Sequence, residues 1–291
     1  MQETVLVTGC SGFIGSHVSE RALSEGYRVI GMDVKDCKNP EVEFIKGSIT
    51  DRLSVEKAVS AADYVIHLAA ITSNIEFEKD YERAHEVNVN GFLNVINAAA
   101  KSKCKKFLYA SSSAVYPEES QFSEDFIINI KKQRNHYAKS KLINEMYAES
   151  YRDIYKLPTV GMRFFNVYGP GENEKGDYAS IITIFKSYKE MGKKLVIYGD
   201  GSQARDFIYV KDVAEIVLKL LKKAESGVYN VGTGTATSYL KIAELIDPLN
   251  KEHIPNPLSS YQRLTRADTR KLEEAIGEYK FTELENLLPG F

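Results

Sequence analysis

Tyr137 and Lys141 stand four residues apart in the run Tyr137-Ala-Lys-Ser-Lys141, and Leu142, Ile143, Met146 and Tyr147 carry the run onward with helical spacing. On a helix that interval places phenol and ammonium on one face, a turn apart, within reach of each other's charge. A phenol titrates near pH ~10 and is a poor base at neutrality unless positive charge favours the phenolate. Lowering it by ~3 units takes roughly 4 kcal/mol, of which one lysine supplies part and a cationic cofactor ring more. The chemistry suggested is proton transfer to and from a hydroxyl group. A tyrosine and lysine so spaced also occur on solvated helix faces, so the weight of the pair depends on the elements that precede it.

Residues 4–8 are a β-branched apolar run ending at Gly9-Cys-Ser-Gly12-Phe13-Ile14-Gly15, and His17, Val18, Ala22 and Leu23 continue with helical spacing. Strand, glycine loop and helix in that order make a phosphate site, because glycines let the backbone approach a pyrophosphate and the helix terminus offers N–H groups. The glycines are spaced GxxGxxG, not GxGxxG. Residues 27–33 read as a second strand with Asp33 at its carboxyl end, where a carboxylate accepts ribose hydroxyls and repels a 2′-phosphate, so NAD is favoured over NADP. A short third strand follows at 43–46, then a helix at about 53–59. Residues 63–70 form a buried strand with small residues at its exit that let a flat ring approach. His67 inside it reads as a core histidine without chemistry.

The spacing predicts a helix over about 81–101, with Asn88 read from the pattern as a helix surface residue. Residues 106–110 make a fifth strand running into Ser111, Ser112 and Ser113, at the strand end where open α/β sheets bind ligands. After the Tyr137 helix, residues 158–165 form a sixth strand ending at Asn166. The alternation implies an α/β fold, a doubly wound parallel (Rossmann) sheet over residues 1–166. Residues 167–291 form a smaller α/β substrate lobe, with the chain crossing back to the first domain around 199–234. Within it a helix is expected at 181–191 and strands at 195–198 and 208–210, and the substrate crevice lies between the lobes.

Thirty-eight Lys and Arg against 40 Asp and Glu give a formal charge of -2, no basic field for nucleic acid. Cys10, Cys37 and Cys104 are odd in number and lack metal-site spacing, which favours free thiols and a reducing compartment. No apolar stretch reaches membrane-spanning length, and the chain enters its first strand without a charged and apolar leader, so a soluble cytoplasmic protein is expected.

The set Thr8-Gly9-Cys-Ser-Gly12-Phe-Ile-Gly15, Asp33, His67-Leu68-Ala69-Ala70, Asn88, Ser111 to Tyr116, Tyr137-xxx-Lys141 and Arg163-Phe164-Phe-Asn166-Val-Tyr-Gly-Pro170 resembles the extended short-chain dehydrogenase/reductases that act on nucleotide sugars. The resemblance continues through Gln203-Ala-Arg205-Asp206, Tyr229 to Gly234 and Arg266-Ala-Asp268. It implies an NAD cleft walled by Gly9, Gly12, Phe13, Ile14, Gly15, Asp33, Ser48, Ile49, Leu68, Ala69, Ala70, Asn88, Ser111, Tyr137, Lys141 and Phe164. Ser48 departs from the family, which usually has an aspartate there beside the adenine. Tyr137 is then the acid/base, Lys141 lowers its pKa and binds the nicotinamide ribose, and Ser112 is the catalytic hydroxyl. Ser112, Ser113, Asn166, Lys175, Arg205 and Arg266 are the implied substrate contacts, the arginines serving a nucleotide diphosphate. Asp206 and Asp268 read as structural.

Within that resemblance, sugar 4,6-dehydratases carry an Asp-Glu pair after the catalytic Thr or Ser, and sugar-acid decarboxylases keep a glutamate there. Here the positions are Ser113 and Ala114. The expectation is therefore an NAD-dependent epimerase, with UDP-glucose/UDP-galactose 4-epimerase first. An alternative in the same family is ADP-glycero-manno-heptose 6-epimerase, which residues 166–180 and Tyr261-Gln262-xxx-Thr265-xx-Ala267-Asp268 resemble, with Lys175 as a second acid/base. A non-catalytic dinucleotide sensor is the alternative outside catalysis. The helices at about 81–101 and 137–155 resemble those that pair in the family's dimers, so a homodimer is expected.

Overall fold

The computed structural model describes residues 2–72, 74–117, 122–173, 176, 179–256 and 263–288. Its centre is β1 (Thr4–Thr8), whose five side chains are all buried. Around it lie β2 (Arg28–Asp33), β3 (Glu43–Lys46), β4 (Tyr64–His67), β5 (Lys106–Ser112), β6 (Thr159–Phe164) and β10 (Gly227–Val231), in the order β10-β6-β5-β4-β1-β2-β3. Every neighbouring pair in this sheet is parallel. Parallel strands buried on both faces need cover on both, which is why they read as continuous apolar runs. One face is covered by α1 (Phe13–Ser24) and α8 (Val210–Lys223). The other is covered by α2 (Arg52–Ser60), α5 (Phe92–Lys101) and α6 (His136–Tyr155). Strand order reverses between β1 and β4, so the crevice beyond their carboxyl ends is where such a sheet takes a ligand.

The expected helix over 81–101 is not one α-helix. It is α4 (Tyr81–His85), a π-helical turn over Glu86–Gly91, and α5, with a further short helix, α3 (Asn74–Lys79), before it. The wider turn rotates Asn88 inward, where it is 2% exposed, so reading it as a surface residue was wrong. Its Oδ1 accepts the Ile71 N–H at 2.8 Å, while Nδ2 donates to the Ile71 carbonyl at 2.8 Å and to Ser140 Oγ at 3.4 Å. A side chain making backbone-like bonds to a loop needs this local change of pitch, and π turns are common at functional sites. Periodicity alone does not register one extra residue in a turn.

After β6 the chain adds β7 (Asn166–Tyr168), α7 (Ile181–Glu190), β8 (Leu195–Tyr198) and β9 (Ala204–Tyr209). The strand expected at 208–210 therefore begins earlier, and Val210 already opens α8. Val210, Val213, Ala214, Val217 and Leu221 repeat at helical spacing and are all buried. The return through α8 places β10 against β6 in the large sheet. Beyond it come β11 (Ala236–Ser238), α9 (Tyr239–Ile246), β12 (Lys251–Ile254), α10 (Arg270–Ile276) and α11 (Leu284–Leu287). A second core of Ile182, Phe185, Leu195, Ile197, Ile242 and Ile246 holds α7, β8 and α9 together as the smaller lobe. Asp206 is fully buried between the two parts and accepts from the Thr233, Gly234 and Ala267 N–H groups and the Thr233 hydroxyl, a structural role. Among the described residues no helix is long and apolar enough to cross a membrane, and no cluster could hold a metal ion.

Candidate active site

A cavity of about 1330 Å³ opens along the carboxyl ends of β1, β2, β4, β5 and β6. Single-ligand pockets run about 300–1,000 Å³, so this one has room for a dinucleotide and a second ligand together. Its walls include Gly9, Gly12, Phe13, Ile14, Gly15, Asp33, Ser48, Ile49, Leu68, Ala69, Ala70, Ser111, Ser112, Tyr137, Lys141 and Phe164. Asn88, implied as a cofactor contact, is not among those walls. It stands behind them and fixes the backbone of the β4 exit loop at Ile71.

The glycine loop fits a pyrophosphate by shape. Gly9 holds a positive φ of 74° that other residues rarely adopt, and Gly15 packs so tightly on Gly9 that there is no room for a Cβ. Gly12 is the N-cap of α1 and makes no side-chain hydrogen bond, so the partial positive charge of the helix terminus faces the cavity. Asp33 ends β2 with Oδ2 accepting the Ser11 N–H at 3.0 Å and Oδ1 accepting that of Lys35 at 2.9 Å. Each oxygen keeps lone-pair capacity for a ribose hydroxyl. The donor set thus fits an adenine dinucleotide.

At the other end, α6 begins with Asn135 as N-cap, its side chain accepting the Ala138 N–H at 2.9 Å. That start aims Tyr137 and Lys141 into the cavity against the end of β5. The Ser112 hydroxyl and the Tyr137 phenol share the cavity wall, and the hydroxyl acts to hold the phenol's pKa down. Lys141 is 3% exposed, donates to the Ala110 carbonyl at 3.1 Å, and sits 5.6 Å from the centre of the Tyr137 ring. Burial pushes the phenol up to about 12 and, despite Glu145, pulls Lys141 down to about 8. For the phenol, burial outweighs the Ser112 contribution, so the side chains alone leave Tyr137 a protonated donor near neutral pH.

Other expected contacts lie elsewhere. Ser113 opens a 3-10 turn over Ser113–Val115 and is not on the cavity wall. Asn166 Nδ2 donates to the Asp206 carbonyl at 3.2 Å and to Thr265 Oγ1 at 3.4 Å, a brace within the β7-β9 region. Arg205 stacks 5.5 Å from the centre of the Tyr239 ring, and Arg266 is exposed; neither lines the cavity. Lys175, Tyr261 and Gln262 lie outside the described residues. His67 is a satisfied core histidine: it is hydrogen-bonded to Thr8 Oγ1 at 2.8 Å and stacked on Phe107, and burial drives its pKa down to about 3.

Sequence reasoning gave no role to Glu145 or Arg163. Glu145 is four residues past Lys141 on the same helix face, the signal that would have found it. Arg163 Nε and Nη2 grip its two oxygens at 2.9 and 2.7 Å, and Ser111 donates to the same carboxylate.

A parallel sheet, a glycine loop at its switch point and a buried Ser-Tyr-Lys group define a dinucleotide-dependent enzyme of the short-chain dehydrogenase/reductase type. The chain belongs to the NAD dependent epimerase/dehydratase family, whose model matches residues 5–232, and NAD is its cofactor. The UDP-glucose 4-epimerase of Thermotoga maritima, solved with UDP-glucose, superposes with a TM-score of 0.90 at 31% identity, over 98% of this chain and 96% of that one. UDP-glucose 4-epimerase of Mycolicibacterium smegmatis is 31% identical over 94% of this chain and 92% of its own length. The dTDP-D-glucose 4,6-dehydratase of Bos taurus is 35% identical over 85% of this chain and 73% of its own. The chain is thus a nucleotide-sugar enzyme of the epimerase/dehydratase family.

Proposed function

We propose that this enzyme is a UDP-hexose 4-epimerase interconverting UDP-glucose and UDP-galactose. The observation that carries the reading is the makeup of the wall around Ser112 and Tyr137. Dehydration of a sugar needs an acid for the departing hydroxyl and a base for the neighbouring carbon-bound proton. Ser113 and Ala114, which follow Ser112, supply neither. The carboxylates among the described wall residues are Asp33, at the glycine-loop end, and Glu82 and Glu86, both exposed. What the site does hold is one phenol with a hydroxyl partner and a buried ammonium, sufficient to move one proton to and from a sugar hydroxyl. NAD, when bound, would supply hydride-transfer chemistry at the sugar carbon, and inversion requires the hydride to come back to the opposite face of the oxidised sugar. Tyr137 takes the hydroxyl proton and gives it back, Ser112 orients that hydroxyl, and Lys141 holds positive charge beside the phenol. The UDP-glucose bound by the Thermotoga maritima enzyme supports UDP as the nucleotide.

Purified enzyme with NAD is expected to convert UDP-galactose to UDP-glucose, and UDP-sugars are expected to raise its melting temperature more than ADP-, GDP- or dTDP-sugars do. A larger rise with an ADP-heptose, together with turnover of it, would replace the UDP-hexose reading.

We also propose that it works as a cytoplasmic homodimer. The three cysteines are free thiols, as a reducing compartment allows. On α6, Met146, Tyr147, Ile154 and Tyr155 are 58, 39, 70 and 55% exposed, an apolar face suited to pairing with the same helix of a second copy. Light scattering should give twice the chain mass, and Tyr147→Glu with Ile154→Glu should halve it; a wild-type monomer at working concentration would reject the dimer.

A further inference from the structure

Two cations lie buried behind the reaction centre, Lys141 on α6 at 3% exposed and Arg163 on β6 at 5%. Glu145, its side chain 10% exposed, is paired with Arg163 and stands one helical turn past Lys141. Tyr137, Lys141 and Glu145 occupy positions i, i+4 and i+8 of α6, so one face of the helix carries phenol, ammonium and carboxylate in succession. The end of β5 pins the last two: the Ala110 carbonyl accepts from Lys141, and the next residue, Ser111, donates to Glu145. Arg163 cannot swing away, since Nη1 donates to the Tyr116 hydroxyl at 2.8 Å, which in turn donates to Asn230 Oδ1 at 2.8 Å.

We infer that Glu145 is a positioning residue that acts through Lys141: its single charge is divided between Arg163 and Lys141, and this division sets whether the lysine is an ammonium at working pH. The inference rests on the proposed proton-transfer role of the Ser112, Tyr137 and Lys141 group. Its physical basis is desolvation. A buried ammonium loses its charge unless an anion offsets the lost water, and Glu145 is the acid whose charge holds Lys141 up.

The other titratable groups facing the lysine do not do this work. His67 from β4 and Tyr137 from α6 are neutral near pH 7, as is Tyr109 from β5 beside Glu145, whose phenol burial raises. Arg163 from β6 competes for the same carboxylate, and Glu86 from the π turn is on the cavity wall but exposed. An ion pair serving only the core would leave the lysine's titration where it is. A shared carboxylate makes two changes act in opposite directions. Glu145→Gln removes the anion, so Lys141 deprotonates at lower pH. Arg163→Met frees the anion for the lysine, so Lys141 deprotonates at higher pH.

The experiment follows the Lys141 ammonium by nitrogen-15 lysine NMR across pH 6–10, in the protein with and without NAD, beside the pH profile of kcat. Glu145→Gln is expected to shift both the titration and the alkaline limb down by about one pH unit or more. Arg163→Met should shift them up, and Glu145→Asp should restore them toward wild type. Shifts in the same direction for the first two variants, or none in either, would overturn the inference. Should one variant fail to fold, the sign of the other's shift still decides. Wild type that turns over no nucleotide sugar would reject the proposed function and leave the lysine titration readable on its own.

Discussion

Tyr137→Phe is expected to lower turnover of UDP-galactose by about three orders of magnitude, within the range for losing a positioned acid/base, while NAD and UDP-sugar affinities change by less than about threefold. The substitution deletes one oxygen and leaves the ring, whose edge contact with Phe77 at 6.4 Å between centroids is apolar and persists. The start of α6 is held by Asn135 and not by the phenol, so the fold should survive. Only the proton path is lost: Ser112 keeps its place at the end of β5 but has no partner to pass the proton to. Since burial sets the phenol at about 12, wild-type turnover also depends on the charge that a bound cofactor brings beside it. An effect on KM alone, with kcat intact, would show that Tyr137 binds sugar and that another group moves the proton. Turnover that survives the substitution at full rate would reject the mechanism.

The parallel sheet was legible because buried parallel strands advertise themselves as short apolar runs between glycine and polar breaks. Thr4–Thr8 and Thr159–Phe164 are examples, and the cleft residues follow from them because they occupy strand ends. What pattern reading missed has two physical sources. Asn88 looks like a polar residue on a solvated helix because a 3.6-residue period cannot register a π turn that rotates it inward. Glu145 and Arg163 received no role because composition does not say which charges find each other across a helix-strand contact; their pairing depends on α6 lying against β6. Arg205 and Arg266, read as diphosphate contacts, stand off the walls of the cavity for a related reason. Residue type identifies what could hold a phosphate, but the three-stranded sheet β11-β9-β7 decides where β9 sets Arg205 down.

Gly15→Ala should weaken NAD binding by at least about tenfold and lower the melting temperature as well. A methyl at this position would lie 1.9 Å from the Gly9 carbonyl oxygen and 2.7 Å from its carbon, and these are backbone atoms that no rotamer change can move aside. Gly9 is itself held in place, since its N–H donates to the Met32 carbonyl at 2.8 Å and its carbonyl accepts the Gly12 N–H at 3.0 Å. Relief must come from moving the first turn of α1 away from the loop, at about 1–3 kcal/mol for overpacking of this kind. That motion takes the helix terminus out of line with the pyrophosphate and costs the charge-dipole attraction together with the N–H contacts. In wild type, NAD at a hundred times its Kd adds about 2.7 kcal/mol of stability, so the thermal shift on adding NAD reads the site directly. The variant should melt lower and, at the same NAD concentration, show at most about half the wild-type stabilisation, whereas Ser24→Ala at the far, exposed end of the same helix should keep the full shift. An undiminished NAD shift in Gly15→Ala would mean that the pyrophosphate does not rest on this helix terminus, and that the glycine loop is only a tight strand-to-helix turn.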